Sequence, residues 1–194
     1  MLTFRSFGPL AVAMCLVALP AVALAESDAG LASAEALVET FVSGVETFSG
    51  RFEQTLLDPT GALLETSTGY LDIQRPGQFR WAYEEPYEQW LVADGLNIWS
   101  YDVDLAQVTV KPQEEALANT PAMLLGGTRD AMEGFIIEQT AVQEEGGNET
   151  TWVRLLPLDS ESGFRHVDLG FIDDTLQRMV FLDSLEQTTI VSLS

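Results

Sequence analysis

From residue 47 onward, apolar residues recur at every second position in short runs, and turn signals separate those runs at close intervals. The runs cover residues 51–57, 63–73, 79–83, 88–93, 96–101 and 107–111, and then 135–143, 151–156, 165–171, 177–182 and 188–193. Between them stand Asp58-Pro59-Thr60-Gly61, Arg75-Pro76-Gly77, Glu85-Pro86, Asp94-Gly95, Gly146-Gly147-Asn148 and Asp173-Asp174. Connections this short cannot carry a parallel crossover, so consecutive strands pair antiparallel. A meander of about eleven strands must curl rather than stay flat.

Two segments break the rhythm. Residues 31–45 place Leu31, Ala34, Leu37, Val38, Phe41, Val42 and Val45 on one stripe at helical spacing, stopped near Gly44. Residues 113–125 read as two short helical turns. In the second, Thr120 is a cap, Pro121 takes the first position and Gly126 ends the turn. Its interior, Ala122-Met123-Leu124-Leu125, is apolar nearly all round. The fold class is mainly β (α+β): an unclosed antiparallel barrel with helices against one face.

Residues 1–25 read as a secretory signal peptide. Arg5 gives a positive start, residues 10–19 are apolar but too short to span a bilayer, and Ala23-Leu24-Ala25 is a small-x-small cleavage site. Residues 26–194 are then one domain. The single cysteine, Cys15, follows Met14 inside the apolar stretch and does not suit acylation. The exported chain would lack cysteine, which removes disulfides, thiol nucleophiles and Cys-ligated metals together.

Asp and Glu number 30 against 9 Lys and Arg, for a net charge of −21. Removing the leader takes Arg5 and no acid. That balance excludes nucleic acid and anionic membrane as direct partners. A 46% apolar content with 4 Trp and 10 Phe excludes a disordered acidic tail. His166 is the only histidine and reads as a strand surface residue. No Gly-x-Ser-x-Gly elbow, phosphate loop or cluster of metal ligands occurs, and no carboxylate pair stands out from the rest. No enzyme chemistry, metal or cofactor is expected.

Phe79, Trp81 and Tyr83 share one face of their strand, and Trp90 and Val92 share one face of the next. Both stripes are expected on the concave side, where they line an apolar mouth. Such stripes also suit an ordinary packed core. The face of Trp99 and Tyr101 stays open, because Leu96 and Ile98 compete for the inside. Arg75 keeps phase with Leu71 and Ile73 and so points to the apolar side. A guanidinium there needs several acceptors. One reading has it twist out to water or an acid at Pro76; the other has it hold helix-end carbonyls as a latch.

The segment Gly69-Tyr70-Leu71-Asp72-Ile73-Gln74-Arg75-Pro76-Gly77-Gln78-Phe79-Arg80-Trp81 resembles the signature strand pair of the LolA family of periplasmic lipoprotein carriers. So do Pro86 with Leu91-Val92-Ala93-Asp94-Gly95, and Ile98-Trp99-Ser100-Tyr101-Asp102 leading to Leu105-Ala106-Gln107-Val108. Asn119-Thr120-Pro121-Ala122-Met123-Leu124-Leu125 is similar to the family's lid helix. The resemblance runs through the exported chain in order.

It implies a lid over an apolar cavity for acyl chains, with Arg75 as the lid latch and Pro121, Met123, Leu124 and Leu125 in the lid helix. The cavity aromatics fall on Phe79 and Trp81, and the expected lining is Leu71, Ile73, Phe79, Trp81, Tyr83, Trp90 and Val92. It further implies a periplasmic monomer that takes acylated lipoproteins from the inner-membrane transporter LolCDE to the outer-membrane acceptor LolB. The family's pattern continues past a Gln-Thr-Thr strand, here Gln187-Thr188-Thr189, into a further strand and loop, whereas this sequence ends at Ser194. A C-terminally shortened carrier, with a question over edge protection, is the expectation. Competing readings are an envelope sensor or lipid-binding module on the same fold, and a periplasmic glycan hydrolase.

Overall fold

The computed structural model describes residues 34–117, 133–145, 148–159 and 162–194. The expected leader, the lid residues Pro121, Met123, Leu124 and Leu125, and the Gly146-Gly147 turn lie outside them.

Helix α1 covers residues 34–44, and its last turn, Thr40–Gly44, is wound as a π-helix. Six strands follow: β1 (Thr47–Leu57), β2 (Leu63–Gln74), β3 (Gln78–Glu85), β4 (Gln89–Asp94), β5 (Asn97–Asp102) and β6 (Gln107–Pro112). A short helix, α2 (Gln113–Leu117), leads away from β6. The chain returns as β7 (Phe135–Glu145), β8 (Asn148–Pro157), β9 (Phe164–Ile172), β10 (Thr175–Asp183) and β11 (Thr188–Leu193). All eleven form one open sheet in the order β6-β5-β4-β3-β2-β1-β11-β10-β9-β8-β7. Every neighbouring pair is antiparallel.

The two edges are β6 and β7, which follow one another in the chain. The final strand is not an edge. It lies between β1 and β10, and Ser194 exchanges both backbone hydrogen bonds with Arg51 at 2.8 and 3.0 Å.

Alternation on paired strands sorts side chains to two faces, since residues directly opposite each other share a face. Phe52, Leu71, Trp81, Leu155, Val167, Leu169, Phe171, Met179 and Val191 are buried on the inner one. Helix α1 lies on that face with Ala34, Val38, Phe41 and Val42 buried. Phe41 meets Phe171 of β9 edge-on at 6.4 Å and also receives the side chain of Arg75 from the end of β2. Those strands are four places apart in the sheet, so the sheet wraps α1 from both sides. The outer face is braced by cross-strand charge pairs: Arg80 with Asp72 at 2.6 Å, and Arg154 with Asp168 at 2.7 Å. His166 lies there too, half-buried at 3.7 Å from Asp168. Desolvation holds its pKa below the ordinary imidazole value, with the Arg154 charge adding to the effect.

Gly69 shows how tightly the inner face is built. A Cβ at that position would lie 1.9 Å from the carbonyl oxygen of Ala82 and 2.9 Å from the ring of Phe52. Only a residue without a side chain lets the Phe52 ring lie over the strand while β2 and β3 shift register at Thr68/Gly69.

The register corrects one expectation. Trp90 and Val92 pair with Ala82 and Arg80, opposite the inward set, and therefore stand on the outer face. Trp90 is 41% exposed. The inward residues of β4 are Leu91 and Ala93, which face Trp81 and Phe79. The run Trp90-Leu91-Val92-Ala93 is apolar on both faces, so its own pattern carries no phase; the 86–88 connection sets it by placing Gln89 opposite Tyr83.

Candidate functional site

The site begins at the turn after β2. Arg75 and Gly77 sit in the β2–β3 hairpin, and Gly77 takes a left-handed φ of 73°. The backbone N–H of Arg75 donates to the Glu46 carbonyl at 2.8 Å. Its guanidinium donates to the carbonyls of Phe41 and, at 3.1 Å, Val45. It also lies over the Phe41 ring, 4.6 Å from the centroid.

The last carbonyls of a helix have no partner inside it, and here they belong to the final turn of α1 and the residue beyond. Arg75 is therefore turned inward, onto helix-end carbonyls. Burial pushes its pKa down to about 10, because a charged guanidinium loses hydration in this place.

The wall beside the turn is Leu71, Ile73, Phe79 and Trp81, all buried on the inner face, with half-buried Tyr83 beyond them. Phe52 joins the aromatic group at 5.0 Å from Trp81 and 5.2 Å from Tyr83. The Tyr83 hydroxyl donates to Oε1 of Gln54 at 3.1 Å. Burial pushes the Tyr83 phenol up to about 12, and Glu65 adds to the shift, while the Gln54 bond works against it. The wall continues through Leu91, Ala93 and Ile98. Toward β6 it opens: Leu91 and Ile98 are half-buried, and every residue of β6 is exposed.

Phe52, Gln54, Leu91 and Ala93 were not legible as site residues in the sequence, and Ile98 was one of two candidates for the inside of its strand. For Phe52 the one signal was Gly69, a glycine inside a strand, which marks a close approach from a neighbour. Trp99 and Tyr101 face outward: their partners on β4 are Val92 and Trp90. The Trp99 indole N–H donates to the Asp94 carboxylate at 2.8 Å, and Tyr101 packs on Trp90 at 5.8 Å.

One further residue fastens the start of α2. The Gln113 side chain donates to the Gly77 carbonyl at 2.8 Å and accepts from the Gly95 N–H at 3.0 Å. It thus ties the start of α2 to the hairpin that carries Arg75. Among the described residues no group of three or more His, Cys, Asp or Glu side chains could hold a metal. No helix among them is long and apolar enough to cross a membrane.

An arginine held between helix-end carbonyls beside an apolar wall can be compared with known proteins. A family model described as outer membrane lipoprotein carrier protein LolA matches residues 43–194. This chain belongs to the LolA family. It is 41% identical to the outer-membrane lipoprotein carrier protein of Nitrosomonas europaea over 159 residues, covering 81% of this chain and 75% of that one. It is 38% identical to the carrier of Bordetella pertussis, over 89% of this chain and 80% of the relative. The carrier of Methylococcus capsulatus is 36% identical, over 90% and 82% respectively. Among solved structures, Mycobacterium tuberculosis lipoprotein LppX aligns with a TM-score of 0.50 at 13% identity, over 87% of this chain and 95% of the other. That likeness is one of fold. The residues matched by the family model include Arg75 and Val45, one of its two carbonyl partners.

Proposed function

We propose that this chain is a periplasmic carrier that shields the acyl chains of lipoproteins. In this reading it takes them from the inner-membrane transporter LolCDE and hands them to the outer-membrane acceptor LolB. Residues 1–25 direct it to the periplasm, where it works as a monomer. The observation that carries the reading is Arg75, which fastens the end of α1 across an apolar wall whose far side opens toward β6.

Burying one sixteen-carbon acyl chain stabilises a complex by about 12 kcal/mol, at about 0.8 kcal/mol per methylene. Several fully buried chains would exceed the ceiling of about 20 kcal/mol for non-covalent affinity. A carrier that must also release its cargo needs an opposing term. Breaking the contacts between Arg75 and α1 supplies one, so acyl burial is offset by opening and transfer onward stays downhill. The acidic surface favours the same role, because anionic lipid repels the empty protein from both membranes.

Mass spectrometry of the protein purified from the periplasm tests the reading. Co-purified acylated protein, released to purified LolB in a transfer assay, is the expected result. Capture without transfer would point to a sensor or lipid-binding module on the same fold. Turnover of peptidoglycan with no bound acyl protein would overturn the carrier reading altogether.

A further inference from the structure

One polar group in the apolar wall has no role so far. The indole N–H of Trp81 is buried, on a residue only 8% exposed, and has no hydrogen-bond partner among the described residues. Its surroundings are rings: Phe52 at 5.0 Å and Tyr83 at 6.2 Å. An orphaned buried donor is uncommon and costs stability. The contrast with Trp99 is direct, because that indole, on the outer face, has the Asp94 carboxylate at 2.8 Å.

A second donor lies on the same inner face, linked to Trp81 through Tyr83. The Tyr83 hydroxyl occupies the Gln54 carbonyl oxygen at 3.1 Å, which fixes the amide and leaves its –NH2 as the free end. Gln54 makes no other side-chain hydrogen bond among the described residues. Both side chains belong to the inner face: Trp81 pairs with Leu71 and Leu91, and Gln54 with Ser67.

The wall therefore presents two neutral N–H donors without partners among the described residues, beside apolar surface. Its complement is an acceptor-only, uncharged group attached to a hydrocarbon chain. A carboxylate fits poorly, because Glu65 accepts from Ser67 at 2.9 Å close by and would repel an anion.

We infer that Trp81 and Gln54 each hydrogen-bond a carbonyl oxygen of the acyl ester or amide linkages, at the root of the bound acyl chains, and that Tyr83 orients Gln54 for this. The inference rests on the carrier reading and sharpens its substrate: the protein recognises the acyl linkage as well as the chain, and the linkage sets how far the chain is inserted. With the site closed, the Trp81 N–H stays buried and unpaired; when cargo displaces what covers it, the donor gains its acceptor. Part of the acyl-binding energy is thereby made specific to acylated head groups over plain hydrocarbon or fatty acid.

The test uses the full exported chain and four probes of equal chain length: a dipalmitoyl-glyceryl cysteine peptide, its dialkyl-ether analogue without carbonyls, an N-palmitoyl peptide and free palmitate. The diester is expected to bind about five- to thirtyfold tighter than the ether, the range that one or two neutral hydrogen bonds give. The N-palmitoyl peptide shows whether an amide carbonyl alone earns the same preference over palmitate, and a preference in either ester or amide supports the site. In Gln54→Leu and in Trp81→Phe the ester-to-ether ratio falls toward one. The Trp81 indole resonance, labelled with 15N, moves downfield with the ester and not with the ether. If Trp81→Phe does not fold, Gln54→Leu and the indole resonance of the unsubstituted protein still decide. Tight but equal binding of ester and ether, or an unchanged ratio in both variants, overturns the linkage site and leaves the carrier reading standing. Failure of every acyl probe to bind overturns both.

Discussion

Replacing Arg75 with leucine separates the latch from ordinary packing. The guanidinium donates to the Phe41 carbonyl and, at 3.1 Å, to the Val45 carbonyl, both at the end of α1. Hydrogen bonds from a charged donor are each worth about 1.5–3 kcal/mol. Desolvation works against them, as the fall of the Arg75 pKa to about 10 shows. A net preference of about 2 kcal/mol for the fastened state follows, which corresponds to about thirtyfold in the open-to-closed ratio. Leucine keeps an apolar contact with the Phe41 ring but offers the carbonyls nothing.

The Arg75→Leu protein is therefore expected to bind a palmitoylated peptide up to about thirtyfold tighter, since closing no longer competes with cargo. It should also pass that peptide to an acceptor correspondingly slower. Fluorescence anisotropy gives the affinity, and stopped-flow transfer to the acceptor gives the rate. Urea unfolding should move by no more than about 2 kcal/mol, because lost bonds and relieved desolvation partly cancel. An affinity within twofold of the parent, together with an unchanged transfer rate, would refute the latch.

Leu71→Ala should cost about 2–5 kcal/mol in urea unfolding, because Leu71 is fully buried. Trp90→Ser should cost under about 1 kcal/mol and leave acyl binding intact, since Trp90 stands on the outer face; a large loss of acyl affinity would contradict the register. Gly69→Ala is expected to prevent stable folding, because its methyl would lie 1.9 Å from the Ala82 carbonyl oxygen; circular dichroism of the purified variant checks this. Tyr83 carries the pH prediction. Its folded pKa of about 12 lies above the ordinary 10.0, so between those values the unfolded chain has already lost the proton that the native state keeps. Stability should therefore be intact below pH 10 and fall as pH rises from 10 to 12, with one late tyrosinate transition in absorbance that Tyr83→Phe removes.

Sequence alone determined the strands and their antiparallel order within each half. Alternation is a local property, and loops of a few residues leave neighbouring strands no other pairing. All eleven runs became strands, although β1 begins at Thr47, ahead of the predicted start, where Phe48 and Gly50 pair with the end of β2. The inward direction of Phe79 and Trp81 was legible for the same reason, since their strand is apolar mainly on one face; the phase of Arg75 pointed inward too, but a twist at Pro76 toward water or an acid stayed open.

Tertiary structure decided the rest. β4 is apolar on both faces, so its phase came from the register across the hairpin, which turned Trp90 and Val92 outward. The insertion of β11 between β1 and β10 joins residues far apart in the chain, and no local pattern encodes such a pairing. The acceptors of Arg75 are backbone carbonyls, identical in every residue, and only the packing of α1 inside the curled sheet says which of them lie within reach. In the chain Trp81 and Tyr83 read only as apolar wall and Gln54 carried no signal; the orphaned donor of Trp81 exists only because burial among rings removes both water and acceptor at once.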